Sequence, residues 1–183
     1  MSNSFGFGQK ATGQVERKPS GESDFSPKGY FDIQLVRKGK VIESFRAPNG
    51  VTNVGKNSIL GVGFNAIAQI TAWYLGIIDN SGFSALAAAD TMASHAGWNE
   101  FVSYAEATRV AWPEDAASGQ QITNSTSADF NINGSGTLNG IFLVSDNVKS
   151  GTAGTLWATA SFASTIPVLA SDVLKITYTI TAT

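Results

Sequence analysis

The chain has 183 residues, 43% of them hydrophobic, 10% aromatic and only 14% charged, enough for one medium-sized core and too little for two comfortable domains. It contains no cysteine and a single histidine, His95, so disulfide frameworks, thiolate metal sites, cysteine nucleophiles and zinc sites built from several imidazoles are excluded together. A net charge of −2 argues against a general nucleic-acid binder, because such domains carry a basic surplus.

Residues 1–28 are rich in glycine and serine, contain Pro19 and Pro27, and lack apolar periodicity. Such a segment does not bury enough surface to offset the entropy of ordering, so an extended N-terminal arm is expected, followed by a body over 29–183. Phe5, Phe7, Val15 and Phe25 are spaced along the arm like anchors, either for wrapping a partner surface or for tucking back onto the chain's own body. The continuous apolar core of a secretory signal is missing, and the segment is expected to be retained.

From Tyr30 the pattern changes. The runs 31–37 and 41–46, joined by Lys38-Gly39-Lys40, read as a β-hairpin with glycine available for positive φ. Ala47-Pro48-Asn49-Gly50 reads as a second turn, in which Asn49-Gly50 tolerate left-handed geometry. A short, glycine-weakened helix is expected within 54–67. Trp73 to Ile78 is a nearly continuous β-branched and aromatic run, which predicts a central strand buried on both faces, with Gly76 marking a bulge or a close backbone approach. The alanine-rich stretch 85–96, with Asp90 or Thr91 as cap, predicts a second short helix. Strands resume around 109–112, 120–124, 128–132, 138–144, 155–162 and 173–181, separated by Gly, Ser, Asn and Asp clusters at a spacing typical of sandwiches and barrels. The expected fold is all-β: an antiparallel β-sandwich, jelly-roll or Ig-like, with one or two short helices and the extended arm. No apolar stretch approaches the roughly 20 residues of a membrane-spanning helix, since Ile59 to Ile78 is interrupted by Gly61, Gly63, Asn65, Gln69, Thr71 and Gly76.

Charge is unevenly distributed. Residues 1–56 hold nine of the twelve Lys and Arg against five acids, whereas residues 57–183 hold three bases against nine acids. A positive front on a negative body points to an acidic partner or to a neighbouring copy.

Reactive constellations are sparse. Gly61-Val62-Gly63-Phe64-Asn65-Ala66 imitates a dinucleotide fingerprint without its βαβ context, and Gly55-Lys56 is followed by Asn57 instead of Ser or Thr. His95 near Ser94 or Ser103 has no nucleophile elbow. The adjacent acids Glu114 and Asp115 point to opposite sides of an extended chain and, like the pair Glu100 and Glu106, make a poor glycosidase pair. Asp79, Asp90, Asp129, Asp146 and Asp172 mostly fall in predicted turns, where aspartate bonds the backbone. Trp73, Trp98, Trp112 and Trp157 read as core, since a ligand platform requires tryptophans exposed together. No catalytic, cofactor or metal residue is assigned.

The order of Gly29-Tyr30-Phe31-Asp32-Ile33, Asn49 to Asn57, Trp73-Tyr74-Leu75-Gly76-Ile77-Ile78, Asp90 to Trp98, Glu106-Ala107-Thr108-Arg109 and Asp172 to Thr179 resembles small virion structural proteins of tailed bacteriophages. The resemblance covers residues 30–183 and not the arm. It implies a non-enzymatic capsid cement (decoration) protein, residing in the virion after assembly in the host cytoplasm. Its partners would be the major capsid protein and copies of itself, as a trimer, with no nucleic acid or membrane involved. Phe5, Phe7, Arg17, Lys18, Phe25 and Lys28 are the expected capsid anchors, aromatics filling pockets and bases meeting acids. The alternative is a tail or fibre-adapter protein contacting tail components or host glycans.

Overall fold

The structure, a computed structural model, describes residues 27–182. Of the expected anchors, Phe5, Phe7, Arg17, Lys18 and Phe25 lie outside the described residues. Lys28 belongs to the first strand, which begins at Pro27, two residues before the expected start of the body.

The elements in chain order are β1 (Pro27–Arg37), β2 (Lys40–Pro48), β3 (Gly50–Val51), α1 (Asn53–Phe64), β4 (Tyr74–Asp79), β5 (Asn99–Phe101), β6 (Val110–Ala111), β7 (Gln121–Ile122), β8 (Ala128–Asn131), β9 (Gly136–Val144), β10 (Leu156–Val168) and β11 (Val173–Ala182). They form two antiparallel sheets. One runs β2-β1-β11, with β7 and β8 both pairing β11; the other runs β3-β10-β9-β4, with β5 and β6 both pairing β4. One core cluster takes inward side chains from both sheets, among them Phe31, Ile33, Leu174, Ile176, Leu75, Ile141 and Ala158.

The β1–β2 hairpin forms as the alternation predicts. Lys38 and Gly39 both have positive φ, 51° and 74°, the two-residue geometry whose twist matches the flanking strands. The second predicted turn is different. Pro48 still pairs with Tyr30, the Asn49 amide donates to the Gly29 carbonyl, and Gly50-Val51 then pairs with β10 in the other sheet. The chain therefore crosses between sheets in an extended conformation, and neither Asn49 nor Gly50 takes a positive φ.

Helix α1 starts where Thr52 caps it: Thr52 Oγ1 accepts from the Gly55 amide at 3.0 Å, while its hydroxyl donates to the Leu156 carbonyl of β10. Gly55 sits so close to the Trp157 backbone that any side chain there would collide with it. These contacts root the helix on β10, and its distal half stands clear of the body.

The alanine-rich stretch is not a helix. Residues 80–98 form a chain of turns over the outer face of the β4/β9/β10 sheet, where Met92 and Trp98 join Ile78, Phe142, Val144 and Leu156 in a second buried cluster. Asp90 is the organiser: one carboxylate oxygen accepts from the Ala87 amide at 2.9 Å and from Trp98 Nε1 at 3.0 Å. Tertiary bonding of this kind overrides the modest intrinsic preference of alanine. It also explains why Leu75, Gly76, Ile77 and Ile78 are all buried: β4 has core on both faces, as its uninterrupted apolar run predicts. Strand β5, a three-residue edge pairing with β4, has too short a pattern to be read in sequence.

Arg109 fastens the loops at this edge. Its side chain is fully buried, donating through Nε and Nη2 to the two oxygens of Glu100 at 3.0 and 2.9 Å and to the carbonyls of Asp146 and Gly151. A charge withdrawn from water at this depth is tolerated only with such complete pairing.

Two predictions follow from the packing. Gly76 faces the Phe142 ring, and a Cβ there would overlap its carbons. Gly76→Ala should cost about 1–3 kcal/mol in urea melts, and Phe142→Leu in the same chain should recover part of the loss; equal or additive losses would contradict the close-approach account. At the far end of β1, Arg37 donates to both oxygens of Asp172 at 2.8 and 2.7 Å, and this bonding holds the carboxyl below the usual aspartate range. Because the folded carboxyl binds its proton more weakly than the unfolded one, the pair contributes above about pH 4 and the contribution is lost as pH falls through the lowered pKa. The stability gap between the parent and Asp172→Asn should therefore shrink below about pH 4; a gap independent of pH would refute the assignment.

Candidate interaction surface

Strand β1 links two unlike ends of the body. At one end Pro27 pairs with Ala182; at the other Arg37 pairs with Lys40 beside the hairpin tip. Ten steps of extended chain separate them, about 33 Å.

The first end carries a cleft of about 410 Å³, lined by Ile59, Trp73, Trp112, Trp157, Leu143 and Ile180, with Gln69, Thr71 and Glu114 among its polar members. It lies where the core reaches the surface. Ile180 of β11, which pairs with Gly29 and Ile122, faces Trp157 of β10. Three of the four tryptophans converge here, a convergence that the sequence spacing does not reveal. Trp73 and Trp157 meet edge to face, centroids 6.2 Å apart. Trp112 Nε1 donates to Asn124 Oδ1 at 2.8 Å, and Trp157 Nε1 donates to the Tyr178 hydroxyl at 3.0 Å. Asn124 Oδ1 also accepts from the Tyr178 amide, and Asn124 Nδ2 donates to the Ile176 and Thr126 carbonyls. Tyr178 stacks on Phe31 at 4.0 Å, and burial pushes its hydroxyl pKa upward. Trp112 and Trp157 thus spend their N–H groups inside the protein and offer the cleft only apolar ring surface.

Beside the cleft stands the distal half of α1. Leu60, Val62, Phe64 and Ile67 are exposed, Phe64 at 86%, a concentration of apolar side chains on a short segment that marks an interaction surface more than a solvated helix end. The mixed spacing of the apolar residues suggested a short helix within 54–67, which ends at Phe64 and leaves Ile67 outside it, but did not tell which of them face water.

The opposite end carries two exposed lysines, Lys38 and Lys40, while the exposed Lys28 and Lys56 lie on β1 at the cleft end and on α1. Residues 1–26 hold three bases and three acids, and the surplus of four positive charges falls wholly on residues 27–56, with six bases against two acids. The positive front therefore belongs mainly to the first elements of the body and not to the residues before them. Arg37 is committed to Asp172. Arg46 is committed to Asp32 and lies 3.7 Å above the Tyr30 ring. Lys38 and Lys40 are exposed at the hairpin tip, next to the exposed Val41, Ile42 and Leu169.

Apart from Glu114, which is exposed at the cleft, the titratable residues weighed for catalysis hold structure. His95 stacks on Trp98 at 3.9 Å and places Nδ1 3.0 Å from the Trp98 carbonyl. Glu100 is locked by Arg109, Glu106 accepts from Asn131, and Asp115 accepts from Ser125. Asp129 pairs with Lys175, and Asp79, Asp146 and Asp172 each bond a backbone amide in a turn. Trp98, Trp112 and Trp157 are core, and Trp73 packs against it partly buried. No group of three or more His, Asp or Glu suited to a metal ion occurs among the described residues.

Tyr178→Phe should leave the Trp157 N–H buried without an acceptor and cost about 1–3 kcal/mol in urea melts, with the tryptophan emission of the folded protein little changed. An unchanged midpoint would show that the hydroxyl does not carry this bond.

Comparison of the chain with family models and with curated protein sequences finds no match to either.

Proposed function

We propose that the chain is a non-enzymatic capsid cement protein of a tailed phage: a β-sandwich body, of jelly-roll or Ig-like type, that bridges neighbouring major capsid protein subunits and associates with copies of itself as a trimer. The observation that supports this most is the pair of unlike contact ends about 33 Å apart on one strand, basic at Lys38 and Lys40 and apolar at α1 and the cleft. A bridging protein needs two separated adhesive surfaces on a stiff body. The basic tip meets acidic capsid surface, with a salt-screened contribution that fixes orientation. Leu60, Val62 and Phe64 supply the apolar contact between copies. The expected anchors complete the contact, Phe5, Phe7 and Phe25 filling pockets and Arg17, Lys18 and Lys28 pairing with acids. Many copies on one shell let each contact be weak.

The test is reconstitution onto heads of the phage that encodes the chain. Substitution Phe64→Ser should leave the melting transition within about 0.5 kcal/mol, and both it and removal of residues 1–26 should lower occupancy on the particles. Lys38→Glu with Lys40→Glu should lower occupancy most at low salt. If all three variants coat particles as fully as the parent, the bridging reading is wrong.

A further inference from the structure

Three Asn-Gly pairs occur in the chain: Asn49-Gly50, Asn133-Gly134 and Asn139-Gly140. In such a pair the glycine nitrogen, shielded by no side chain of its own, is able to attack the side-chain carbon of the asparagine before it. The attack asks two things of the fold. The backbone between the two residues must turn the nitrogen onto the carboxamide, and the glycine N–H must be released from hydrogen bonding.

Two of the pairs are held. Asn49 crosses between the sheets in extended conformation, its amide donating to the Gly29 carbonyl at 3.0 Å. Both polar atoms of its side chain are buried, and Gly50 pairs with Thr159 of β10. Gly140 is buried within β9, between Ile78 on one side and Ser161 on the other, and Asn139 Nδ2 donates to Asn80 Oδ1 at 2.9 Å. Asn133-Gly134 differs on each count. It lies in the connection between β8 and β9, and Asn133 is exposed. The Gly134 amide reaches the Ser103 carbonyl at 3.4 Å and shares that acceptor with the Asn133 amide at 3.1 Å, a long bond beside the usual separation of about 2.9–3.0 Å.

We infer that Asn133 is a site of spontaneous deamidation, the reactive one of the three pairs in the folded protein. The Gly134 nitrogen loses its proton to hydroxide and bonds to Asn133 Cγ. The Cγ–Nδ2 bond breaks, and ammonia leaves with a proton from water, closing a succinimide. Water then adds to either ring carbonyl and opens the ring to aspartate or to isoaspartate. In sum, an amide and water become a carboxylate and ammonium, with no oxidant or reductant involved.

The new charge falls at the hairpin-tip end of the body. The Ile132 amide donates to the Asp172 carbonyl at 2.9 Å, the Ile132 carbonyl accepts from the Ser171 amide at 2.8 Å, and Asp172 holds Arg37 next to Lys38. The carboxylate therefore subtracts from the positive charge of the end that Lys38 and Lys40 mark. Isoaspartate also adds a main-chain methylene between Ile132 and Gly136, which pairs with Val168 of β10. None of this depends on the cement reading.

The test is incubation of the full chain in warm, mildly alkaline buffer, folded and, for reference, unfolded in guanidinium chloride, with peptide mapping by mass spectrometry. In the folded chain Asn133 should convert within about tenfold of its unfolded rate. Asn49 and Asn139 should convert about tenfold or more slowly than Asn133, because each waits on local opening of a strand ladder. The rate at Asn133 should rise with pH. Isoelectric focusing of the folded parent should show a main acidic form accumulating, absent from Asn133→Gln, whose longer side chain closes its ring far more slowly. Retention of Asn133 beyond the tenfold margin, or conversion of Asn49 or Asn139 as fast as Asn133, would overturn the inference. So would the same acidic form accumulating in Asn133→Gln. These readouts need no virus particle, so their failure is distinct from failure of the proposed function.

Discussion

The hydrogen bond from Trp157 to Tyr178 joins the two sheets at the end where the core is open. Trp157 stands on β10 and Tyr178 on β11, in different sheets. Asn124 extends the linkage by accepting from both Trp112 and the Tyr178 amide. Buried donors and acceptors in such a network are costly when one member is lost and rigid when all are satisfied. The network therefore does two things. It keeps the sheets in register without filling the space between their ends, and it turns the indole rings so that their apolar surfaces, not their N–H groups, define the cleft.

The rest of the architecture frees that end for contact. The β4/β9/β10 sheet is closed on its outer face by residues 80–98, held by Asp90 and Trp98, and at its edge by the buried Arg109–Glu100 pair. With both faces of the central strands covered, surface remains for interaction at the two ends of β1 and on α1. The helix contributes because its N-terminal turn alone is fastened, through Thr52 and Gly55 on β10. Its apolar residues beyond Ile59 have no core to enter and stay exposed.

Much of this was legible in the residues. Period-two alternation located β1 and β11, because strands with one buried face write their burial into every second residue, and β2 was read as the β-rich run after the Lys38-Gly39-Lys40 turn. The unbroken run 74–78 and its glycine announced a strand covered on both sides. The second helix was misread because alanine content is a local signal, whereas the bonds from Asp90 to Ala87 and Trp98 close a turn that propensity does not describe. The crossing at Asn49-Gly50 was misread as a turn because the same residues that tolerate left-handed geometry also tolerate an extended one. The candidate surface was less visible. Trp73, Trp112 and Trp157 are far apart in the chain and meet only through sheet pairing. Net charge over 1–56 was real, but its location became clear only when β1 was found to begin at Pro27, which leaves the whole surplus on residues 27–56. Thr52, three residues before Gly55, was the one overlooked local signal, a helix cap readable in principle.

The central claim is that a stiff two-sheet body bridges two neighbours through its unlike ends. Cryo-electron microscopy of the particles that carry the chain tests it most directly. The account predicts density for the body on the head lattice, straddling a boundary between capsid subunits, with the Lys38-Gly39 tip on one subunit and the α1 end against another subunit or copy. Density confined to the tail, or a body seated on one capsid subunit with either end free in solvent, would contradict it.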